Sequence, residues 1–309
     1  MEKLVTVIML TFNRERFVGK AIESVLSQKY TNFEFIIINN GSSDGSGEIC
    51  LGYEKKDNRI KYYSIGKETI GYGRNYGLRQ SNGNYITFVD DDDTCEPQML
   101  TYLVELIERG EYDISLCGSY RDTEGVKTSK YVFEGEHVLR GAEPVKELLK
   151  REIYNSANPT KLFKRELFDH IKFEETGKYD DIAVMYKLFA EAKAVIAGGR
   201  PLYSFRRHPN NNSGFTTDKS LLKPEQLDEY LKVFKERTEY LSGKFPEERE
   251  FFFYQELSYM ISMCRNIEKY KLDICRIQYN SMKTDIEKNL DMLRKCSLLS
   301  SEEKEYLNV

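Results

Sequence analysis

The chain has 309 residues, of which 46 are basic and 50 acidic, so its formal net charge is −4 at pH 7. A hydrophobic content of 40% is typical of a globular protein, and the absence of a basic excess argues against a general nucleic-acid binder. No apolar run approaches the roughly 20 residues that cross a bilayer. The first strand-like run begins at Leu4, which leaves no room for a signal peptide. We therefore expect a cytoplasmic protein, and we expect its six cysteines, which show no CxxC spacing, to be free thiols.

Strand and helix signals alternate over the first 120 residues. The apolar run Val5–Leu10 is followed by Phe17, Ala21 and Val25, which recur at helical spacing. Similar patterns predict four more strands and two more helices, at Phe33–Ile38, Ile60–Tyr63, Tyr85–Val89 and Ile114–Cys117 and at Asn75–Gln80 and after Pro97. This alternation favours an α/β fold with a Rossmann-like, mainly parallel sheet flanked by helices.

The pattern changes in the second half of the chain. A helix near Pro144–Arg151 and a short strand at Leu202–Phe205 are expected within a less regular stretch. From Pro224 onward the apolar residues recur at helical spacing. We therefore predict one α/β domain over residues 1–218 and a C-terminal helical region over residues 219–309.

Polar clusters follow three of the predicted strands. They are Thr11-Phe12-Asn13, Asn39–Asp44 and Asp90–Asp93. In parallel α/β sheets, ligands bind outside the carboxyl ends of the strands, so the three clusters are expected to form one pocket. Four consecutive aspartates repel one another unless a cation or solvent offsets their charge. Mg²⁺ and Mn²⁺ take carboxylate and phosphate oxygens, whereas a solvated acidic loop that caps the next helix is the structural alternative.

Four segments together resemble the family 2 glycosyltransferases, which have a GT-A fold. They are Val5–Asn13, Ala21–Gln28, Ile38–Asp44 and Gly83–Asp93, in matching order and spacing. The resemblance is greatest over residues 3–120 and extends to about residue 215. It implies a nucleotide-binding part over residues 1–120 and an acceptor part over 121–218. It also implies an inverting, metal-dependent transfer of a sugar from a nucleotide-sugar to an acceptor hydroxyl, in bacterial surface polysaccharide or glycoprotein glycan synthesis.

The same resemblance assigns the nucleotide base to the first two loops. Thr11 and Asn13 are expected to hold the base. Asn40 stands where the family usually has the Asp that bonds uracil, and its carbonyl can still accept a bond from uracil N3–H. UDP is therefore the expected nucleotide. Asp44 is expected to cap the following helix.

The aspartate run matches the family's DxD motif. By resemblance, Asp92 binds the Mn²⁺ or Mg²⁺ ion and Asp91 contacts the ribose. Asp90 is expected to support the loop by pairing with Arg74. Arg74 itself matches a basic position near the donor diphosphate, although a surface charge at a helix start is the alternative.

The catalytic base is predicted at Asp181. Tyr179-Asp180-Asp181 resembles the Glu-Asp pair that supplies the base in this family, with Asp180 in place of the Glu. A base must lie within hydrogen-bond reach of the acceptor oxygen whose proton it takes. A helix N-cap before Ile182 is the alternative role for Asp181.

A basic segment near residue 208 is expected to close over the donor. Arg206 fits the family's diphosphate-binding arginine, because a guanidinium can bind two phosphate oxygens at once. His208 is expected to complete the metal sphere or to bond the diphosphate. The segment Arg206-Arg207-His208, which precedes the polar run Asn210–Gly214, resembles the mobile loop of the family.

Two other functions and several partners follow from the sequence. Asp90-x-Asp92-x-Thr94 also fits haloacid-dehalogenase-like phosphatases, in which Asp90 would be the nucleophile, and a catalytically inactive sugar-nucleotide-binding subunit is the non-enzymatic alternative. The expected partners are a nucleotide-sugar donor and a glycan, lipid-linked or glycoprotein acceptor. Peripheral attachment at the inner membrane face is the alternative to a freely cytoplasmic location. No nucleic acid is expected. The apolar runs Phe251–Tyr254 and Tyr259–Ile261 predict a homo-oligomer through the C-terminal helices. Packing of these helices on the catalytic domain, where they would complete its core, is the first alternative, and a membrane-surface role is the second.

Overall fold

The computed structural model describes residues 2–208, 211, 214 and 218–309. The chain divides into two compact units, residues 1–208 and residues 209–309. We refer to them as the N-terminal unit and the C-terminal unit. The sequence analysis placed the corresponding boundary somewhat later, after residue 218.

The N-terminal unit contains one ten-stranded sheet. Its strands, in chain order, are β1 Val5–Thr11, β2 Phe33–Asn40, β3 Ile60–Ile65, β4 Tyr85–Phe88, β5 Thr94–Cys95, β6 Ile114–Thr123, β7 Val126–Lys130, β8 Glu136–Arg140, β9 Lys161–Lys164 and β10 Ala194–Arg207. The spatial order is β3-β2-β1-β4-β9-β6-β10-β5, with β7 beside β6 and β8 beside β10.

The sheet is mainly parallel with antiparallel additions. β1 pairs in parallel with both β2 and β4, and β2 with β3. β10 runs parallel to β6, whereas β9 lies antiparallel between β4 and β6. The predicted parallel α/β sheet is therefore confirmed. Four strands, β5, β7, β8 and β9, were not predicted, and β6 and β10 are longer than expected.

Seven helices precede residue 208 in the described part of the chain. They are α1 Val18–Leu26, α2 Ser46–Glu54, α3 Ile70–Gln80, α4 Met99–Glu108, α5 Glu143–Lys150, α6 Leu167–His170 and α7 Asp180–Glu191. Helix α3 begins five residues before the predicted start, at the Thr69 cap, whose hydroxyl accepts the Tyr72 N–H at 3.2 Å. Its first turns carry Gly71 and Gly73, which lower helix propensity and hid this part from pattern analysis.

The core of the N-terminal unit lies on both faces of the parallel strands. Val5, Val7 and Met9 of β1 are buried against one set of helices, together with Ile22 of α1 and Leu103 of α4. On the other face α3 approaches closely, so that a Cβ at position 77 would overlap Ile8. Strand β2 is buried along its whole length, as expected for a parallel strand covered by helices on both sides.

The C-terminal unit is helical, as predicted. Within its described residues, the helices are α8 Pro224–Lys244, α9 Arg249–Tyr270, α10 Arg276–Lys288, α11 Leu290–Lys295 and α12 Ser301–Leu307. The Phe252 ring, which is 1% exposed, lies 6.5 Å from the Phe245 ring, and Tyr259 lies 4.6 Å from Phe234. The apolar residues that suggested a homo-oligomer therefore already have partners within this unit. These residues therefore give no support to the homo-oligomer, which stays a prediction.

All six cysteines are free and buried, at positions 50, 95, 117, 264, 275 and 296. Burial raises the pKa of the Cys50, Cys95, Cys117 and Cys264 thiols to about 12. The predicted free thiols are confirmed. Within the described part of the chain, no helix has both the length and the apolar character that a bilayer span requires.

Candidate active site

The aspartate loop after β4 packs against the loop after β1. The Phe12 N–H donates to Asp91 Oδ2 at 3.1 Å. The Nε atom of Arg14 lies 3.6 Å from both Asp91 Oδ1 and Asp92 Oδ2. The two strand ends therefore converge as predicted. Arg14 was missed, although a basic residue beside Asn13 in a loop expected to meet four aspartates was a usable signal.

Asp92 and His208 meet at this edge of the sheet. His208 Nε2 lies 2.8 Å from Asp92 Oδ2, and the two side chains are only 11% and 12% exposed. The imidazole stacks on the Phe17 ring at a centroid distance of 4.7 Å. Strand β10 ends at Arg207 and thereby brings His208 to the aspartate loop. The contact joins residues that are 116 positions apart.

This pair fits a divalent cation that is shared with a substrate. The described residues contain no cluster of three or more His, Cys, Asp or Glu side chains able to hold a metal by themselves. Mg²⁺ and similar ions are commonly held by one or two carboxylates together with substrate phosphates. One carboxylate and one imidazole are compatible with that arrangement.

Asp93 connects the aspartate loop to strand β10. Its carboxylate accepts the Tyr203 hydroxyl at 2.8 Å and the Arg206 N–H at 2.7 Å. The Tyr203 oxygen in turn accepts the Asp90 N–H at 3.1 Å. Burial raises the pKa of Asp93 well above its usual range. Asp93 therefore links the aspartate loop to β10, a role that was not predicted from the sequence. The guanidinium of Arg206, the predicted diphosphate-binding residue, lies 5.3 Å from the centroid of the Phe17 ring.

The loops after β1 and β2 are joined through Asn13. This residue has a φ of +53°, in the left-handed region that Asn tolerates better than most residues. Its side-chain oxygen accepts the Ser43 N–H at 2.8 Å, and its own N–H donates to Ser42 Oγ at 3.0 Å. Thr11, the last residue of β1, is buried. Both predicted base-contacting residues thus lie at the expected strand end.

Asn40 is engaged by the protein itself. Its side-chain NH₂ donates to the Glu68 carbonyl at 2.9 Å, and its side-chain oxygen accepts the Glu68 N–H at 3.0 Å. A bond from this oxygen to uracil would have to compete with Glu68. Asp44 accepts the N–H of Ser46, the first residue of α2, at 3.0 Å, although the N-cap position itself is Gly45.

Arg74 connects the aspartate loop to helix α7. Its Nε lies 2.7 Å from Asp180 Oδ2, and its Nη2 lies 3.4 Å from Asp90 Oδ1. The carbon of the buried guanidinium also lies 5.2 Å from the Phe88 ring centroid and 5.8 Å from that of Phe173. The expected pairing with Asp90 is present. The Asp180 contact was not predicted, and Arg74 is not a surface charge.

The two aspartates at the start of α7 differ in their surroundings. Asp180 is buried, is paired with Arg74 and accepts a bond from Asn158 Nδ2 at 3.3 Å. Asp181 is partly buried and accepts the Ile182 N–H at 2.8 Å. Burial and the nearby charge of Asp180 raise the pKa of Asp181 to about 7. Asp180 is thus engaged by two protein groups, whereas Asp181 is a carboxylate whose pKa lies near neutrality.

Comparison with known proteins decides between the functions that this site allows. The family described as "Glycosyl transferase family 2" matches residues 6–172, which is more than half of the chain. The chain belongs to this family. It is a glycosyltransferase, and the phosphatase interpretation of Asp90 is wrong. The predicted closing segment Arg206-Arg207-His208 lies within the described residues, whereas residues 210, 212 and 213 of the polar run that follows lie outside them.

Relatives are found in several bacteria. The chain is 28% identical to the glycosyltransferase GlyG of Streptococcus pneumoniae over 67% of the chain and 72% of GlyG. It is 32% identical to the uncharacterized glycosyltransferase EpsJ of Bacillus subtilis over 68% of the chain and 63% of EpsJ. It is 28% identical to the GalNAc(5)-diNAcBac-PP-undecaprenol beta-1,3-glucosyltransferase of Campylobacter jejuni, over 69% of the chain and 68% of that protein. The match to GlyA of S. pneumoniae spans only 32% of GlyA.

Solved structures share the fold. The crystal structure of residues 1–349 of Staphylococcus aureus TarS in complex with UDP-GlcNAc aligns with a TM-score of 0.64. The alignment covers 93% of this chain and 91% of that one at 16% sequence identity. The TarS fragment in complex with UDP gives a TM-score of 0.58. The mainly parallel sheet and its flanking helices are therefore a GT-A fold.

Proposed function

We propose that this glycosyltransferase is inverting and metal-dependent, and that it moves a sugar from a UDP-sugar to an acceptor hydroxyl. The observation that carries the proposal is the contact between Asp92 and His208. Asp181, at the start of α7, is a separate carboxylate whose pKa is raised to about 7. The UDP-GlcNAc named for the TarS structure supports a UDP-sugar donor. The C. jejuni relative, whose name specifies an undecaprenol-linked substrate, supports a glycan or lipid-linked acceptor.

The donor is assigned to the edge formed by β1, β2, β4 and β10. Thr11 and Asn13 hold the base, and Asp91 accepts from the ribose. Arg206 binds the diphosphate, since a guanidinium can bind two phosphate oxygens at once. Its guanidinium lies 5.3 Å from the Phe17 ring, on which His208 also stacks. Asn40 contributes to uracil recognition by sharing its side-chain oxygen between Glu68 and the base.

Asp92 and His208 are the residues that would hold Mn²⁺ or Mg²⁺. When bound, such a cation supplies positive charge that offsets the negative charge developing on the leaving diphosphate. The described protein side chains provide two ligands, which leaves the remaining coordination to the diphosphate and water.

Asp181 is the proposed general base. It takes the proton of the acceptor hydroxyl while that oxygen forms a bond to the anomeric carbon and the bond to the diphosphate oxygen breaks. A single displacement of this kind inverts the anomeric configuration. A carboxylate with a pKa of about 7 suits this role at neutral pH, because the best general base has a pKa near the working pH.

A donor screen tests the proposal. Nucleotide release is measured from UDP-GlcNAc, UDP-glucose and their GDP and CMP counterparts, with water as the acceptor, in Mn²⁺ and in EDTA. We expect release from a UDP-sugar that requires the cation, and an inverted sugar product by NMR. Asp181→Asn should retain UDP affinity but lower kcat by about 10²–10⁴. Full activity in EDTA, a retained anomer, or no turnover with any donor would each contradict part of the proposal.

A further inference from the structure

A lysine lies in the centre of the sheet. Lys161 is the first residue of β9, the strand between β4 and β6, and it is 0% exposed. Lysine is almost never fully buried unless its ammonium is paired or hydrogen-bonded. Burial lowers the pKa of Lys161 to about 7, which reflects the cost of charge at this position. Such a residue needs a reason to be in the core.

The Lys161 ammonium is directed at the chain segment that precedes it. Its Nζ donates to the Ala157 carbonyl at 2.6 Å and lies 3.4 Å from the Pro159 carbonyl and 3.5 Å from Thr160 Oγ1. These three acceptors match the three donors of an ammonium group. The two carbonyls belong to the residues on either side of Asn158. The ammonium therefore holds the backbone on both sides of that residue.

The same segment contains an unfavourable backbone conformation. Thr160 has a φ of +74°, which is a genuine outlier for a β-branched residue. Its carbonyl is also fixed, because it accepts the Cys117 N–H from the neighbouring strand β6 at 3.0 Å. A conformation of this kind persists when its surroundings determine it, and such conformations cluster at functional sites.

Asn158 belongs to this segment and contacts the first residue of helix α7. It is buried, and its Nδ2 donates to Asp180 Oδ2 at 3.3 Å. Its side-chain oxygen has no hydrogen-bond partner among the described residues, so that oxygen does not fix the amide. The orientation of Asn158 therefore depends on its own backbone. Asp180 receives this bond and the Arg74 ion pair on the same oxygen.

We propose that Lys161 is a positioning residue for the carboxylate pair Asp180–Asp181. It fixes the segment of residues 157–160, so that Asn158 holds Asp180 and the start of α7 stays in place beside the acceptor. The inference rests on the proposed function, since it assumes that Asp181 is the base. Lys161 touches neither donor nor acceptor in this role.

Substitution of two lysines in the same strand tests the inference. Lys161→Met removes the ammonium but keeps a long apolar side chain. Lys164→Met is the matched control, because Lys164 lies at the other end of β9 and pairs with Asp113 at 2.9 Å. With UDP release from UDP-GlcNAc as the readout and water as the acceptor, Lys161→Met should lower kcat by about 10–10²-fold with the donor KM unchanged. Lys164→Met should leave both constants at the wild-type value.

A double-mutant cycle separates positioning from general damage. Asn158→Ala should lower kcat to a similar extent, and Lys161→Met should add little in the Asn158→Ala background, because both act through one path. Thr160→Gly should partly restore kcat to the Lys161→Met protein, since glycine adopts a positive φ without strain. If Lys161→Met does not fold, Lys161→Gln replaces it in the same cycle.

Two results would overturn the inference. They are a kcat for Lys161→Met equal to that of Lys164→Met, and losses that multiply fully with those of Asn158→Ala. Asp181→Asn is measured alongside. If it keeps full activity, the proposed base is wrong, whereas an inactive Asp181→Asn protein together with an unaffected Lys161→Met protein means that the positioning role alone has failed.

Discussion

Asp180 and Asp181 show how neighbouring residues of one type acquire different chemistry. Asp180 pairs with Arg74 and accepts a bond from Asn158, whereas burial and the nearby charge of Asp180 raise the pKa of Asp181 to about 7. A carboxylate whose pKa is shifted toward neutrality is a candidate for an acid or base role. Sequence similarity alone assigned Asp181, and the structure supplies a physical argument for the same choice.

The pH dependence of turnover follows from this difference. Asp181 must be ionised to accept a proton, and its pKa is about 7, so kcat should fall as the pH drops below about 7. Asp180→Asn removes a negative charge that raises this pKa while Arg74 remains, so the pKa of Asp181 should fall. The ascending limb of the kcat profile should then move to lower pH. Asp169→Asn, an exposed change in α6, should leave the limb in place, and an unmoved limb in Asp180→Asn would exclude Asp181 as the titrating base.

The metal requirement provides a second prediction at the residue scale. His208→Ala should raise the Mn²⁺ concentration needed for half-maximal UDP release, because one of two protein ligands is lost, and Asp92→Asn should abolish most activity while the protein stays folded. A Mn²⁺ titration of nucleotide release measures both effects. His170→Ala is the control, since His170 is exposed on α6. A His208→Ala protein with an unchanged Mn²⁺ titration would remove His208 from the metal sphere.

Part of the site was accessible to sequence reasoning and part was not. The convergence of the loops after β1, β2 and β4 followed from strand ends that share one edge. The contact of His208 with Asp92 spans 116 positions and came only from family resemblance. The links through Arg14, Tyr203 and Asp93 were missed, because no local pattern marks a side chain whose partner lies on a distant strand.

Among the elements, the parallel strands were predictable and the antiparallel ones were not. Strands such as β2 are buried on both faces and therefore appear in sequence as continuous apolar runs. Strand β9 has only four residues, with a lysine at each end, and Lys161 gives a false polar signal at a fully buried position. Exposed strands such as β7 carry no hydrophobic alternation at all.

Helix α3 gives a prediction about packing. A Cβ at Gly71 would collide with the Glu174 carbonyl oxygen, so Gly71→Ala should force α3 away from this segment. We expect a loss of about 1–3 kcal/mol in the free energy of unfolding, as for other overpacked positions. Gly52→Ala in α2 is the control, because no atom lies within 4 Å of the added methyl group, and it should stabilise the protein by about 0.4–1 kcal/mol. Chemical denaturation compares the two, and equal stabilities would contradict the close approach of α3.

For the whole molecule, the apolar residues of the C-terminal unit have two explanations that can be tested. They form the core of this unit, or they form an interface between copies of the chain. If Phe252 belongs to the core of this unit, Phe252→Ala should lower its stability by about 3–5 kcal/mol without changing the mass of the native protein. Thermal denaturation and light scattering measure the two quantities. Ile277→Ala, at a side chain that is 81% exposed, is the control and should change the stability by no more than about 0.5 kcal/mol. A fall in native mass caused by Phe252→Ala would restore the oligomer interface proposed from sequence.

The buried cysteines are natural probes for the unfolding of the two units. Cys50, Cys95 and Cys117 lie in the N-terminal unit, and the other three lie in the C-terminal unit. A thiol buried in the folded protein is inaccessible to iodoacetamide, so each cysteine should be alkylated only after its own unit opens. Peptide mass mapping across a urea series should then give one labelling midpoint for each set of three. A single midpoint shared by all six would mean that the two units lose their structure together, and that neither survives the loss of the other.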